Sequence, residues 1–102
     1  MSMSIQVMYP ITETTTFDYD YFFSTHMKIV QETLGEHIQS KLVTKGVAGG
    51  PDAPAGYYAI ATMVFKDQFV MDLALSKAGT ARADIPNFTN TEPVMFIGEV
   101  VP

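Results

Sequence analysis

The chain has 102 residues, no cysteine and a net charge of −5 at neutral pH. This length predicts one domain that spans residues 1–102. The absence of cysteine excludes disulfide frameworks, thiolate metal sites and cysteine nucleophiles, and the few scattered basic residues exclude binding to nucleic acid or to an anionic membrane surface.

The first predicted element is a strand over residues 3–9. Its residues alternate between a strongly apolar face, which ends at Tyr9, and a mixed face, and this period of two is typical of a half-buried strand. Pro10 ends the strand because it lacks the backbone donor that a ladder needs. The polar residues 12–16 then predict a loop.

The second predicted element is a helix over about residues 18–34. Asp18 is a suitable N-cap, and Gly35 is a natural stop. Between them, apolar and half-polar residues recur in steps of three and four, which gives one buried stripe. Phe22 and His26 both lie on this stripe, one turn apart.

Two strands are predicted in the middle of the chain. Residues 37–47 form the more polar one, and a loop rich in glycine and proline follows it. Residues 57–65 form the strongest strand of the chain, and both of its faces are largely apolar. A sheet covered by helices on one side alone would leave one of these faces in water, so both faces are predicted to be covered.

The last third of the chain predicts a helix and a strand. Asp67 caps the helix and Gly79 stops it. Residues 80–92 are predicted to be irregular, with a strand over residues 93–101 after them. The inward stripe of the helix is predicted to consist of Phe69, Val70, Leu73 and Ser76.

The order of elements, β-α-β-β-α-β, predicts an α+β protein of the ferredoxin-like class. Right-handed crossovers then give a four-stranded antiparallel sheet with two helices on one face. Only 17% of the residues are charged, and the uncovered face would be too apolar for water. We therefore expect a homodimer in which two sheets pack face to face, the arrangement called a dimeric α/β barrel.

Five stretches of the chain together resemble the EthD family, the ethyl tert-butyl ether degradation proteins. The resemblance covers almost the entire chain, and the pairing of the Gly/Pro loop with ADIPNFTN is its most specific part. The stretches are MYP (8–10), FDYDYFFSTHM (17–27), GGPDAPAGYYAIATMVF (49–65), ADIPNFTN (83–90) and PVMFIGEVV (93–101).

This resemblance implies a dimeric ferredoxin-like α/β barrel and a role in catabolism, which in this family includes the degradation of ether fuel additives. Relatives of the fold include small monooxygenases that need no cofactor, muconolactone isomerases and polyketide cyclases. A histidine of the THM type on the first helix, here His26, matches the family pattern.

His26 is the candidate acid/base residue. Its place on the inward stripe makes it either a proton-transfer group that faces a cavity between helix and sheet or a histidine at the edge of the core. Its apolar neighbours predict a neutral imidazole at pH 7. Asp84 would either orient His26 or, as the simpler interpretation, cap the turn at Ile85-Pro86.

Aromatic residues complete the predicted pocket. Tyr9 would either point into it beside His26 or fill the core. Phe22 supplies bulk next to the histidine. Tyr57 and Tyr58 point to opposite faces of their strand, so one of them is expected to line a pocket and the other a dimer interface.

No cofactor and no metal is expected. The chain has no dinucleotide fingerprint, no P-loop, no nucleophile elbow and no pair of metal ligands at helical spacing. It also has no leader-like N-terminus and no apolar run of about 18 residues, so the sequence predicts a cytoplasmic protein.

Three functions remain open on the sequence. The first is a catabolic protein that binds a small hydrophobic metabolite and carries out isomerisation, dehydration or cyclisation by proton transfer, with His26 as acid/base. The second is a non-catalytic accessory or product-sequestering subunit of an oxygenase system in ether degradation. The third is a dimeric structural protein without a pocket. An enclosed cavity lined by His26 and a tyrosine would favour the first two.

Overall fold

The computed structural model describes residues 1–102 and contains one four-stranded antiparallel sheet. The strands lie in the order β2-β3-β1-β4, so the first and third strands of the chain are the central pair. This order confirms the predicted ferredoxin-like α+β class. The strands are β1 (Met3–Pro10), β2 (Ser40–Lys45), β3 (Tyr57–Phe65) and β4 (Val94–Glu99).

The first helical segment runs without a break through residues 19–34, as predicted. It consists of a short helix α1 (Tyr19–Tyr21), a π-helical turn (Phe22–His26) and a helix α2 (Met27–Leu34). Asp18 caps its start, because the carboxylate accepts a hydrogen bond of 3.1 Å from the backbone N–H of Tyr21.

The π-helical turn keeps four inward residues in line. Phe22, His26, Val30 and Leu34 are spaced by four and are all buried. In a regular α-helix, positions four apart drift around the axis by about 40° per step, since there are 3.6 residues per turn. The π turn has more residues per turn, so it offsets the angular drift between Phe22 and His26. Both side chains therefore face the sheet. Turns of this kind occur frequently at functional sites.

The next helix, α3 (Gln68–Ser76), is capped as predicted but turns a different face to the core. The Asp67 carboxylate accepts a 2.9 Å hydrogen bond from the N–H of Val70. The inward residues, however, are Met71 and Ala74, whereas Phe69 is 72% exposed. The predicted stripe was therefore wrong apart from Val70, which packs against the core.

Residues 80–92 also differ from the prediction. A further helix, α4 (Gly79–Asp84), and a 3₁₀ turn (Ile85–Asn87) occupy the segment that was predicted to be irregular. Gly79 begins this helix and does not stop the one before it. Glycine has a weak helix propensity, but α4 also contains alanine, which has the strongest. Ala81 packs in the core, and this burial stabilises the helix in spite of Gly79.

The two outer strands are shorter than predicted. A 3₁₀ turn at Gly35–His37 takes up the start of the segment predicted over 37–47, and the last strand ends at Glu99. None of the helices has both the length and the apolar character that a membrane span requires.

The two faces of the sheet differ in what covers them. On one face, Ile5, Met63 and Phe65 pack against buried residues of the helices. On the other face, Leu42 and Phe96 remain 63% and 56% exposed. One sheet face, which carries large apolar side chains among polar ones, is therefore bare in the single chain.

Candidate functional site

A cavity of about 620 Å³ lies between the sheet and the helices. Its walls come from β1, β3, β4 and the helical layer, and most of them are apolar. Volumes of this order are typical of small-molecule sites. Both functions that involve a bound small molecule, catalysis and product sequestration, require such a cavity. Its presence disfavours the third function, a structural protein without a pocket.

His26 lies in the wall of this cavity and is only 4% exposed. Its Nδ1 is 2.9 Å from Oδ2 of Asp84. Burial lowers the pKa of His26, and the hydrogen bond and negative charge of Asp84 oppose this shift only in part. The imidazole is therefore neutral at pH 7, as expected from its apolar neighbours.

The second ring nitrogen of His26 faces the cavity. Nδ1 makes the one hydrogen bond of the side chain. Every fully buried side-chain nitrogen and oxygen in the structure has a hydrogen-bond partner. Nε2 of His26 has no partner, so it is not fully buried and must be accessible to solvent. Since His26 lies in the cavity wall, the cavity is the space next to Nε2.

Tyr9 presents its hydroxyl to the same cavity. The residue is 2% exposed and lies in the wall, and its Oη also has no partner among the protein groups. Burial raises the pKa of Tyr9, so the group remains a phenol and can donate a hydrogen bond. The rings of Tyr9 and His26 both pack against Phe22 and Phe88, with centroid separations of 4.6–5.7 Å.

Other polar residues in the wall are already engaged elsewhere. The hydroxyls of Thr89 and Thr91 donate to the carbonyl oxygens of Thr16 and Pro10, both at 2.6 Å. These bonds fix the segment before β4 against the end of β1 and the loop that follows it. Arg82 and Glu92 also line the cavity, but both are exposed and so belong to its mouth.

Asp84 contacts His26 and does not cap the turn at Ile85-Pro86. Its Oδ2 lies 2.9 Å from Nδ1 of His26, and its Oδ1 accepts a hydrogen bond of 3.0 Å from the side-chain amide of Asn87, but the carboxylate accepts no backbone N–H of the turn. The simpler interpretation, a turn cap, was therefore wrong.

The structure places the remaining predicted site residues outside the cavity wall. Phe22 is fully buried behind His26, and the two rings stack at an interplanar angle of 17°. Tyr58 packs on Phe17 and bonds the loop at Thr15 through its hydroxyl. Tyr57 is 40% exposed at the start of β3. None of the three lines the cavity. Phe22 supplies bulk beside His26 as expected, and the expectation that one of Tyr57 and Tyr58 lines the pocket does not hold for the single chain.

Three residues of the site were not predicted. Tyr21 donates a hydrogen bond of 2.7 Å to Asp84, Asn87 donates another, and Phe88 lies beside the imidazole. Asn87 and Phe88 belong to the stretch ADIPNFTN, whose clustering of polar and aromatic residues was the available signal. No group of three or more potential metal ligands comes together in the structure.

Comparison with solved structures places the chain in a family. An EthD-like protein from Ralstonia eutropha superposes with a TM-score of 0.87 and is 33% identical, over 99% of this chain and 93% of its own. The chain belongs to the EthD family. This confirms the resemblance that its motifs indicate.

Two further structures are similar to this EthD chain in fold. An ethyl tert-butyl ether degradation family protein from Bacillus halodurans is 20% identical, with a TM-score of 0.78 over 99% of this chain and 100% of its own. SnoaB, a cofactor-independent oxygenase from Streptomyces nogalater, is 10% identical, with a TM-score of 0.58 over 98% and 95%. No protein-family model and no curated protein matches the EthD chain.

Proposed function

We propose that this EthD protein binds a small apolar carbonyl compound in its cavity and transfers a proton within it. His26 serves as the general base and Tyr9 as the hydrogen-bond donor to the carbonyl oxygen. The observation that supports this proposal is that Nε2 of His26 and Oη of Tyr9, from two buried residues in the wall of an apolar cavity, have no hydrogen-bond partner in the protein. Isomerisation, dehydration and cyclisation all begin with such a transfer.

The proposed step uses only groups that the cavity presents. Nε2 of His26 removes a proton from the carbon next to the carbonyl. The electrons of the broken C–H bond form a carbon–carbon double bond, and the carbonyl oxygen becomes an enolate oxygen that accepts a hydrogen bond from Tyr9. Return of the proton from His26 to a different carbon gives an isomer. If the substrate carries a hydroxyl on the β-carbon, that hydroxyl takes the proton from His26 as its C–O bond breaks and leaves as water, which gives dehydration.

The charge states of the two residues suit this step. A neutral imidazole accepts a proton, and burial holds the pKa of His26 below its usual value. A phenol whose pKa is raised stays protonated and donates to the developing negative charge. In water both groups would be weaker partners, because a low-dielectric cavity strengthens each interaction with charge.

The proposal is tested by hydrogen–deuterium exchange in a panel of small apolar ketones, such as 2-indanone and phenylacetone. In D₂O the protein is expected to accelerate exchange of the α-protons, followed as the loss of their proton NMR signals. A general base contributes about 10²–10⁴-fold to such a transfer. Binding of the ketones without any acceleration would contradict the proposal and favour an accessory, product-sequestering role.

We further propose that the bare face of the sheet is covered by a second copy of the chain. Three large exposed side chains of this face, Leu42, Val94 and Phe96, are apolar. A homodimer through this face would remove them from water, and a specific interface of this kind buries more than about 1,000 Å² in total.

Replacing Phe96 with aspartate is expected to convert the dimer to a monomer, because a charge buried in an apolar interface loses its hydration without gaining a partner. Sedimentation velocity at micromolar concentration measures the change. The matched control is Phe69→Asp, which removes an even more exposed phenylalanine from the outer side of α3 and should leave a dimer. A wild-type chain that sediments as a monomer would contradict the proposal.

A further inference from the structure

The Asp84 carboxylate is held by three hydrogen-bond donors from two parts of the chain. The hydroxyl of Tyr21 and the amide of Asn87 both donate to Oδ1, at 2.7 and 3.0 Å. Oδ2 lies 2.9 Å from Nδ1 of His26. Tyr21 and His26 come from the first helical segment, whereas Asp84 and Asn87 come from the end of α4 and the turn after it.

These contacts settle which partner of the His26–Asp84 pair carries the proton. Burial raises the pKa of Asp84, but the hydrogen bonds from Tyr21, Asn87 and His26 outweigh it and hold the pKa below its usual value. The carboxyl group is therefore ionised at neutral pH and can only accept. A hydrogen bond between Oδ2 and Nδ1 then requires the hydrogen to be on Nδ1.

We propose that Asp84 is a positioning residue that fixes His26 in the Nδ1–H tautomer, so that an unprotonated Nε2 faces the cavity, and that Tyr21 and Asn87 fix the carboxylate for this purpose. The use of Nε2 as a base rests on the proposed function. The assignment of the tautomer does not rest on the proposed function, since it follows from the contacts between His26 and Asp84.

Packing fixes the plane of the imidazole as the carboxylate fixes its tautomer. Phe22 stacks on the ring with centroids 5.7 Å apart, and Phe88 lies against it at 4.6 Å. The ring is therefore held by two phenylalanines and one hydrogen bond, which leaves Nε2 at a defined position in the cavity wall. Precise placement of a reactive atom is itself a source of rate acceleration.

The tautomer is measured directly by long-range ¹H–¹⁵N NMR on protein with ¹⁵N-labelled histidine, at a pH where His26 is neutral. In the wild type, Nδ1 of His26 is expected to show the shift of a protonated nitrogen and Nε2 that of an unprotonated one. His37, the only other histidine, provides a second set of signals in the same spectrum.

Replacing Asp84 with asparagine is expected to reverse the assignment. Oδ1 faces two donors, so the amide oxygen of the new residue will take that position and its NH₂ group will take the position of Oδ2. The NH₂ group then donates to Nδ1, and the proton of the imidazole moves to Nε2. In serine hydrolases a change to the wrong tautomer of this kind lowers kcat by about 10⁴-fold.

Two controls separate positioning from general effects of charge and folding. Asp52→Asn removes one negative charge from an exposed loop and should leave the His26 tautomer unchanged. Tyr21→Phe removes one donor to Oδ1 but leaves Asn87 and His26, so the carboxylate should stay ionised and the Nδ1–H tautomer should persist. If the Asp84 variant fails to fold, the tautomer of the wild type still decides the positioning role.

The outcomes distinguish this inference from the proposed function. A wild-type His26 with its proton on Nε2, or an Asp84→Asn variant with no change of tautomer, would overturn the positioning role. The expected tautomers without any exchange of ketone protons would instead leave the positioning role intact and overturn the proposed function.

Discussion

Replacing His26 with glutamine is expected to slow protein-catalysed exchange of ketone α-protons by about 10²–10⁴-fold, to near the uncatalysed rate. Glutamine has a similar length and still offers a donor to Asp84, but it has no group that accepts a proton near neutrality. The proton NMR measurement in D₂O gives both rates under identical conditions.

The matched control is His37→Gln. His37 lies in the 3₁₀ turn after α2, where its Nε2 is 3.0 Å from Nζ of Lys77, and it does not line the cavity. This variant should exchange ketone protons at the wild-type rate. Equal losses in the two variants would indicate that neither histidine acts from the cavity, and full activity of His26→Gln would exclude it as the base.

Replacing Phe22 with alanine is expected to lower the free energy of unfolding by about 3–5 kcal/mol. Phe22 is fully buried, and its ring contacts those of Tyr9, Phe17 and Phe88 with centroids 5.1–5.5 Å apart. The change removes these contacts and leaves a void behind His26. A loss of this size is a large share of the stability of a small domain, which is about 5–15 kcal/mol.

Phe23→Ala is the control for this prediction. The neighbouring ring is 44% exposed, so its removal is expected to cost about 1 kcal/mol or less. Urea unfolding of both variants at equal protein concentration measures the difference, since association would make the apparent stability depend on concentration. Similar losses in the two variants would contradict a structural role specific to Phe22.

The strands and the first helix were predictable because their signals are local. In β1 the buried residues Ile5 and Tyr9 fall on the alternating face, and in β3 every second residue from Ala59 to Phe65 is buried. The cap at Asp18 and the four-residue spacing of the inward stripe likewise required no knowledge of distant residues.

The face of α3 was not predictable for a physical reason. Its sequence, QFVMDLALS, is apolar on several sides, so the period alone does not select one of them. The packed face contains Ala74, which is almost fully buried, while the larger Phe69 is exposed. A small residue at the contact allows a helix to approach the sheet closely. The size of the apolar side chains is therefore a poor guide to which face of α3 packs against the sheet.

The candidate site was predictable only in its parts. His26 and Tyr9 were identified from their places on inward faces. The pairing of His26 with Asp84 joins residues 58 positions apart, and no periodicity carries information over that separation. From the sequence, contact with His26 was only one of two alternatives for Asp84, and the structure decides between them because α4, which the sequence did not predict, brings the carboxylate to the first helical segment.

The two edge strands of the sheet differ in their protection against aggregation. β2 carries Lys41 and Lys45, charges that discourage pairing with a foreign strand, whereas Val94–Gly98 in β4 is uncharged. Long apolar edges of this kind are where intermolecular β-structure starts. In the proposed homodimer the partner would cover Val94 and Phe96 of this strand, and the charge of Phe96→Asp would discourage β4 from pairing with a foreign strand in the separated chains.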